Sequence, residues 1–112
     1  MAEHAFIKHL KEDHEKQKQL GEQLVGATDP AERDRLRKAF YKELYPHMMG
    51  EEASLFPRLK QADGGEDVFQ AKEGLQEHHV ARMVLRELME LNLDSDVFAA
   101  KAKVLDEINR HH

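Results

Sequence analysis

The sequence predicts an all-α chain folded as an up-down-up-down antiparallel four-helix bundle, with a fourth helix that is short or truncated. Three observations lead there. Residues 3–25 carry a heptad seam, with Ile7, Leu10, His14, Gln17, Gly21 and Leu24 recurring at spacings of 3-4-3-4-3. Three more stretches hold a helical period, and the turns between them are short enough to make consecutive helices antiparallel neighbours. Charged residues, 35% of the chain, mix both signs as on solvated helix faces, while 40% hydrophobic residues suffice for the core of one domain spanning 1–112.

The elements follow in order. The first helix ends near Gly26, a plausible stop, and Thr28-Asp29-Pro30 supplies an N-cap followed by proline at the first helical position. The second helix covers about 31–62, with Leu36, Phe40, Leu44, Leu55 and Leu59 on one face. Pro46 falls inside it and predicts a kink or local break just before His47, and Pro57 a second irregularity. Asp63-Gly64-Gly65 reads as a turn. The third helix covers about 66–91, with Ala81, Val84, Leu85, Leu88 and Leu91 as its apolar face. After a turn at 92–94, with Asp94 or Ser95 as cap, the fourth helix starts near Asp96 and presents Val97, Phe98, Val104, Leu105 and Ile108.

Each helix also places a polar residue on its core face. In Pro46-His47-Met48-Met49-Gly50-Glu51-Glu52, His47 and Glu51 are four apart, hence one turn apart on one face, in the middle of an apolar stripe. A carboxylate there costs several kcal/mol unless it is paired, hydrogen-bonded or metal-bound. Taken alone, the pair fits a satisfied contact at a packing seam, or one rotated to solvent, as well as a metal site. His14 lies on the first helix's seam, beside Asp13. On the third helix His78 falls roughly 70° from the centre of the apolar face and Glu77 roughly 30°, with His79 pointing away. On the fourth, His112 points inward and His111 is well off centre. One such histidine is ordinarily a packed core residue; one per helix is hard to explain by packing. Nitrogen and oxygen donors without sulfur suit iron, manganese or zinc, and mixed His and carboxylate donors on facing helices are the di-iron pattern.

Composition narrows the alternatives. A net charge of −5 without a basic patch argues against nucleic acid and anionic membranes as partners. No apolar run is long enough to span a bilayer, and the polar start Met1-Ala2-Glu3-His4 does not read as a signal peptide. The absence of cysteine excludes disulfides and thiolate ligands and fits a cytoplasmic protein. No phosphate loop or nucleophile motif is present. His4 and His9 are expected in solvent, and Tyr41, Tyr45, Met48, Met49, Met83 and Met89 as packing.

Three stretches carry a resemblance: Leu10-Lys11-Glu12-Asp13-His14-Glu15, then His47-Met48-Met49-Gly50-Glu51-Glu52-Ala53-Ser54-Leu55-Phe56-Pro57, then Glu77-His78-His79. With these the sequence resembles the hemerythrin-like, or HHE cation-binding, family over essentially its whole length. The resemblance implies a non-haem di-iron site, two iron ions bridged by carboxylates and an oxo or hydroxo group, with dioxygen or another small redox ligand as partner. Zinc or manganese is the alternative occupant. His14, His47, Glu51 and His78 match ligand positions, Glu51 as the bridging carboxylate, and His112 matches the histidine of the family's last motif. Two features depart from the pattern. That last motif continues to an acidic residue, whereas this chain stops at His112. A trimmed chain, a substitute carboxylate such as Glu77, or a second chain would account for it. In addition, Gly74 stands where oxygen carriers have a further histidine, leaving water, Glu73 or Glu77 to complete the shell.

The expectation is therefore an iron-binding module for oxygen or redox sensing, oxygen binding or iron handling, rather than an enzyme. The alternatives are a di-iron enzyme acting on peroxide or nitric oxide, and a metal-free or zinc-bound helical interaction domain. A short fourth helix on a small acidic domain also makes a homodimer a candidate.

Overall fold

The computed structural model describes residues 2–61 and 65–111, with side chains from residue 12 onward apart from 55, 56, 58–61, 66 and 67. Four helices make up the architecture: α1 (Ala2–Gly26), α2 (Pro30–Gln61), α3 (Glu66–Glu90) and α4 (Phe98–His111). The described residues contain no strand. The helices form a ring in which α1 packs on α2 and α4, and α3 on α2 and α4. Contacts across each seam set the directions. His14 meets His47 and Lys16 meets Glu43 between α1 and α2. Glu52 meets Arg82, and Arg37 the Leu88 carbonyl, between α2 and α3. Gln17 meets Asn109 and Gly21 meets Asp106 between α1 and α4. One number rises as the other falls, so these neighbours are antiparallel, as the short turns required.

The helix ends follow from local chemistry. Asp29 caps α2, its Oδ2 accepting the Glu32 N–H at 3.1 Å, with Pro30 as the first helical residue. Gly26 is the last residue of α1 but keeps a negative φ; among the described residues only Gly65, preceding α3, has a positive one, φ 92°. The break expected before His47 does not occur: α2 is continuous through Pro46 and Pro57. A proline removes one ladder bond, and Leu44 and Met48, both buried, anchor the helix on either side of Pro46. Helix α4 begins at Phe98, later than expected, because Ser95 Oγ accepts the Val97 N–H at 3.2 Å and its carbonyl the Phe98 N–H at 3.2 Å, drawing 95–98 into a turn.

The core is one cluster: Leu24 from α1; Leu36, Phe40, Leu44 and Met48 from α2; Ala81, Leu85 and Leu88 from α3; Phe98, Ala102 and Leu105 from α4. Two arginines of α2 lock its far end. Arg37 Nη1 donates to the carbonyls of Leu88 at 3.0 Å and Leu91 at 2.9 Å, satisfying acceptors that the end of α3 leaves open. Arg33 donates to the carbonyls of Ala27 and Leu93 and lies over the Phe98 ring, 4.6 Å from its centroid. Met83, Val97 and Val104, expected to pack, are about half exposed: Met83 and Val104 fall beside the buried rows of their helices, and Val97 lies in the turn before α4. No helix among the described residues is long and apolar enough to cross a membrane.

Gly21 is required by the α1–α4 seam. A Cβ there would overlap the Asp106 carboxylate, which is itself held by Arg110 through Nε–Oδ2 at 2.9 Å. A Cβ at Gly50 meets nothing within 4 Å. Thermal melts should therefore show Gly21→Ala destabilised by about 1–3 kcal/mol through overpacking. Gly50→Ala should gain roughly 0.5–1 kcal/mol from helix propensity.

Candidate metal centre

The interior polar residues converge at mid-length of α1, α2 and α3, away from those arginines. Helix α2 carries His47 and Glu51 on successive turns of one face, and the half-buried Glu51 carboxylate reaches in two directions. Its Oε1 lies 2.6 Å from His47 Nε2, and its Oε2 lies 3.0 Å from His78 Nε2 on α3. His14 of α1 sets its ring edge-on to His47, centroids 5.2 Å apart and planes 71° apart. His14, His47 and Glu51 each offer a ligand atom, all within 4.8 Å of one another. Two helices thus bring two imidazoles and one carboxylate into one group, and α3 adds the His78 imidazole on the other oxygen of that carboxylate. Beside them lies a small cavity of about 10 Å³, walled by His47, Glu51, Glu77 and His78 with Met48, Ala81, Ile108 and Asn109. That is room for about one water-sized body.

A family model for the hemerythrin HHE cation-binding domain matches residues 5–112. The chain belongs to the hemerythrin HHE cation-binding family. No curated protein and no solved structure matches it.

The donors present in this hemerythrin-family chain fit a cation. Two ligand atoms about 2.1 Å from a common ion lie roughly 3.0–3.5 Å apart, close to the separations found around Glu51, so small side-chain movements would admit a metal. Without one, a hydrogen bond between His78 Nε2 and Glu51 Oε2, 3.0 Å, joins α3 to the carboxylate. The donor set is nitrogen and oxygen only, which suits iron, manganese or zinc.

The sequence-predicted residues divide as follows. His78 is interior, 2% exposed, and His79 is exposed, as expected. Glu77 is half-buried and lines the cavity, but His78, not Glu77, is the residue nearer the axis. The reason lies in the seam. Ala71, Gly74, His78, Ala81, Leu85 and Leu88 recur at 3-4-3-4-3 and form the covered row, whereas Val84 and Leu91, which pulled the expected face toward Glu77, are only partly covered. His14 was expected inside and is exposed. The Gln17–Asn109 hydrogen bond, 3.2 Å, sets the α1–α4 register, and His14 stands one turn further along α1, where the described part of α4 gives no cover. Gly74 occupies its seam position without a donor, and Glu73 is exposed. Asp13 and His111 are exposed as well. His112, and the side chains of His4, His9, Ile7, Leu10, Leu55 and Leu59, lie outside the described residues. Tyr41 and Tyr45 stack on each other in a groove between α2 and α3, centroids 5.3 Å apart, 40% and 37% exposed rather than packed inside.

Glu52 and Asn109 escaped the sequence reading. Glu52 turns from α2 toward α3, with Oε1 3.4 Å from His78 Nδ1 and ion-paired to Arg82. Arg82 is one turn past His78, and an acid next to Glu51 with a base four residues after the helix-three histidine was the available signal. Asn109 had none, because its role depends on the α1–α4 register.

A ligand that binds only the folded state at 100 times its Kd stabilises it by about 2.7 kcal/mol. Zn(II) at that ratio should therefore raise the melting temperature of the wild-type protein. The rise should be smaller in His78→Ala, which keeps the His14, His47 and Glu51 donors, as calorimetric scans with and without Zn(II) would show.

Proposed function

We propose that this chain is a non-haem di-iron binding domain for oxygen or redox sensing, oxygen binding or iron handling. His14, His47, Glu51 and His78 are its ligands, with Glu77 and His112 as further donors. The observation that carries this is the Glu51 carboxylate, whose two oxygens face two separate imidazoles, His47 and His78. A carboxylate disposed this way can serve two ions at once, one beside each histidine. Glu51 supplies negative charge against two cations, and Glu77 adds a second acid at the cavity wall. Met48, Ala81 and Ile108 give that wall an apolar side, which limits water and strengthens the electrostatics within. Bound iron would supply one-electron chemistry and affinity for small ligands such as dioxygen. The cavity's size selects for ligands of a few atoms.

A second reading, an enzyme using the same centre on peroxide or nitric oxide, is favoured by Gly74, which brings no donor to the turn before His78. Sustained turnover of peroxide or nitric oxide separates it from a binding module. The −5 net charge supports neither nucleic acid nor an anionic membrane as partner. A homodimer would be visible in sedimentation.

The primary test is metal content by mass spectrometry on protein purified without added metal, with visible spectra in air and after reduction. The expected result is about two irons per chain with a reductant-sensitive absorption band. His47→Ala combined with Glu51→Ala should lose both while far-ultraviolet dichroism is kept. A single zinc, or no metal with an unchanged melt on metal addition, would instead leave a helical interaction domain.

A further inference from the structure

We infer that Glu52, steadied by Arg82, is a positioning residue for the metal centre: it holds the Nδ1 side of His78 and so commits His78 Nε2 to the metal. This rests on the metal-binding reading above and assigns a role to two residues outside the ligand set.

The geometry begins with His78. Its side chain is 3% exposed, so neither ring nitrogen can rely on bulk solvent. A neutral imidazole carries one N–H and one lone pair, on opposite sides of the ring. Nε2 faces the site, 3.0 Å from Glu51 Oε2. Nδ1 lies 3.4 Å from Glu52 Oε1, an ion-pair distance that falls short of hydrogen-bond geometry. If Nε2 gives its lone pair to a cation, the N–H must sit on Nδ1, and Glu52 Oε1 is the carboxylate oxygen that a small side-chain movement would bring into hydrogen-bond geometry with it. A histidine ligand whose second nitrogen donates to a carboxylate has its tautomer and ring orientation set, and its basicity raised.

Arg82 completes the arrangement. It lies one turn after His78 on α3, and its Nη1 pairs with the same Oε1 that faces Nδ1. The Glu52 side chain is 14% exposed and Arg82 33%, so the pair runs from the interior to the surface groove between α2 and α3. Arg82 thereby keeps the Glu52 carboxylate turned toward α3. It also offsets part of the negative charge that Glu52 places on the imidazole.

The two residues therefore act on His78 with opposite electrostatic sign. Removing the Glu52 charge weakens His78 as a donor and disfavours the more highly charged metal state, so the Fe(III)/Fe(II) midpoint potential rises. Removing the Arg82 charge leaves Glu52 uncompensated, and the potential falls. Two charges of opposite sign near the iron give such opposed shifts whatever they touch; the dependence of the Glu52 effect on His78 is what separates positioning from packing.

The experiment uses the full chain. Zn(II), with a chromophoric chelator as competitor, measures affinity; the iron-loaded protein measures potential. Glu52→Leu should bind Zn(II) 10- to 100-fold more weakly than wild type, the range expected for losing such a partner. Glu52→Gln, isosteric and safe for folding, should retain more of the affinity and raise the potential, while Arg82→Met should lower it. In a His78→Ala background Glu52→Leu should have no further effect on affinity. Zn(II) affinity within twofold of wild type in Glu52→Leu, potentials moving the same way in Glu52→Gln and Arg82→Met, or undiminished loss in the His78→Ala background would each overturn this role while leaving the metal centre standing. A wild-type protein that binds neither Zn(II) nor iron would overturn the metal centre and this role together.

Discussion

The Glu51 carboxylate is the constraint on which the rest of the structure depends. It sits in the stripe of α2 that elsewhere carries Leu36, Phe40, Leu44 and Met48, and a charge in such a place is tolerated only with partners close by. Its partners come from its own helix and from α3, and His47 in turn meets His14 on α1. Satisfying one side chain therefore sets the rotation of α1, α2 and α3 about their axes together. The chain belongs to a cation-binding family, and His14, His47 and Glu51 hold their donor atoms close enough together for a cation to join them.

Two regions of the bundle divide the work. One end holds Leu24, Leu36, Leu88 and Phe98 together with Arg33 and Arg37, which close the carbonyls that the turns and helix ends leave open. That end is apolar, capped and free of conflict. The other region, at mid-length of α1, α2 and α3, collects histidines and carboxylates whose local preferences run against burial. A site of that kind holds its geometry only when a well-packed region supports it. The length of α2, continuous through two prolines, ties the two regions into one element.

Between these regions the α1–α4 seam is polar in a way that matters for register. Gln17 with Asn109, and Asp106 against Gly21 with Arg110 behind it, permit only one alignment of the two helices. Apolar side chains tolerate a slide by one turn; a carboxylate fitted against a glycine does not. This seam carries Asn109 to the cavity wall and decides how far α4 shelters α1.

By itself the sequence determined the four helices, the Asp29–Pro30 start of α2, the interior place of His78 and the pairing of His47 with Glu51. Each of these is a matter of spacing along one helix, or of a side chain reaching a backbone group a few residues away, and such relations are local. The tertiary structure alone decided that Glu77 lines the wall while His78 takes the axis, that His14 stands exposed, that Asn109 reaches the cavity, and that Glu52, paired with Arg82, comes within ion-pair distance of His78 Nδ1. A helical period tells which residues share a face. Where that face points, and what stands opposite, is set by packing against the neighbours.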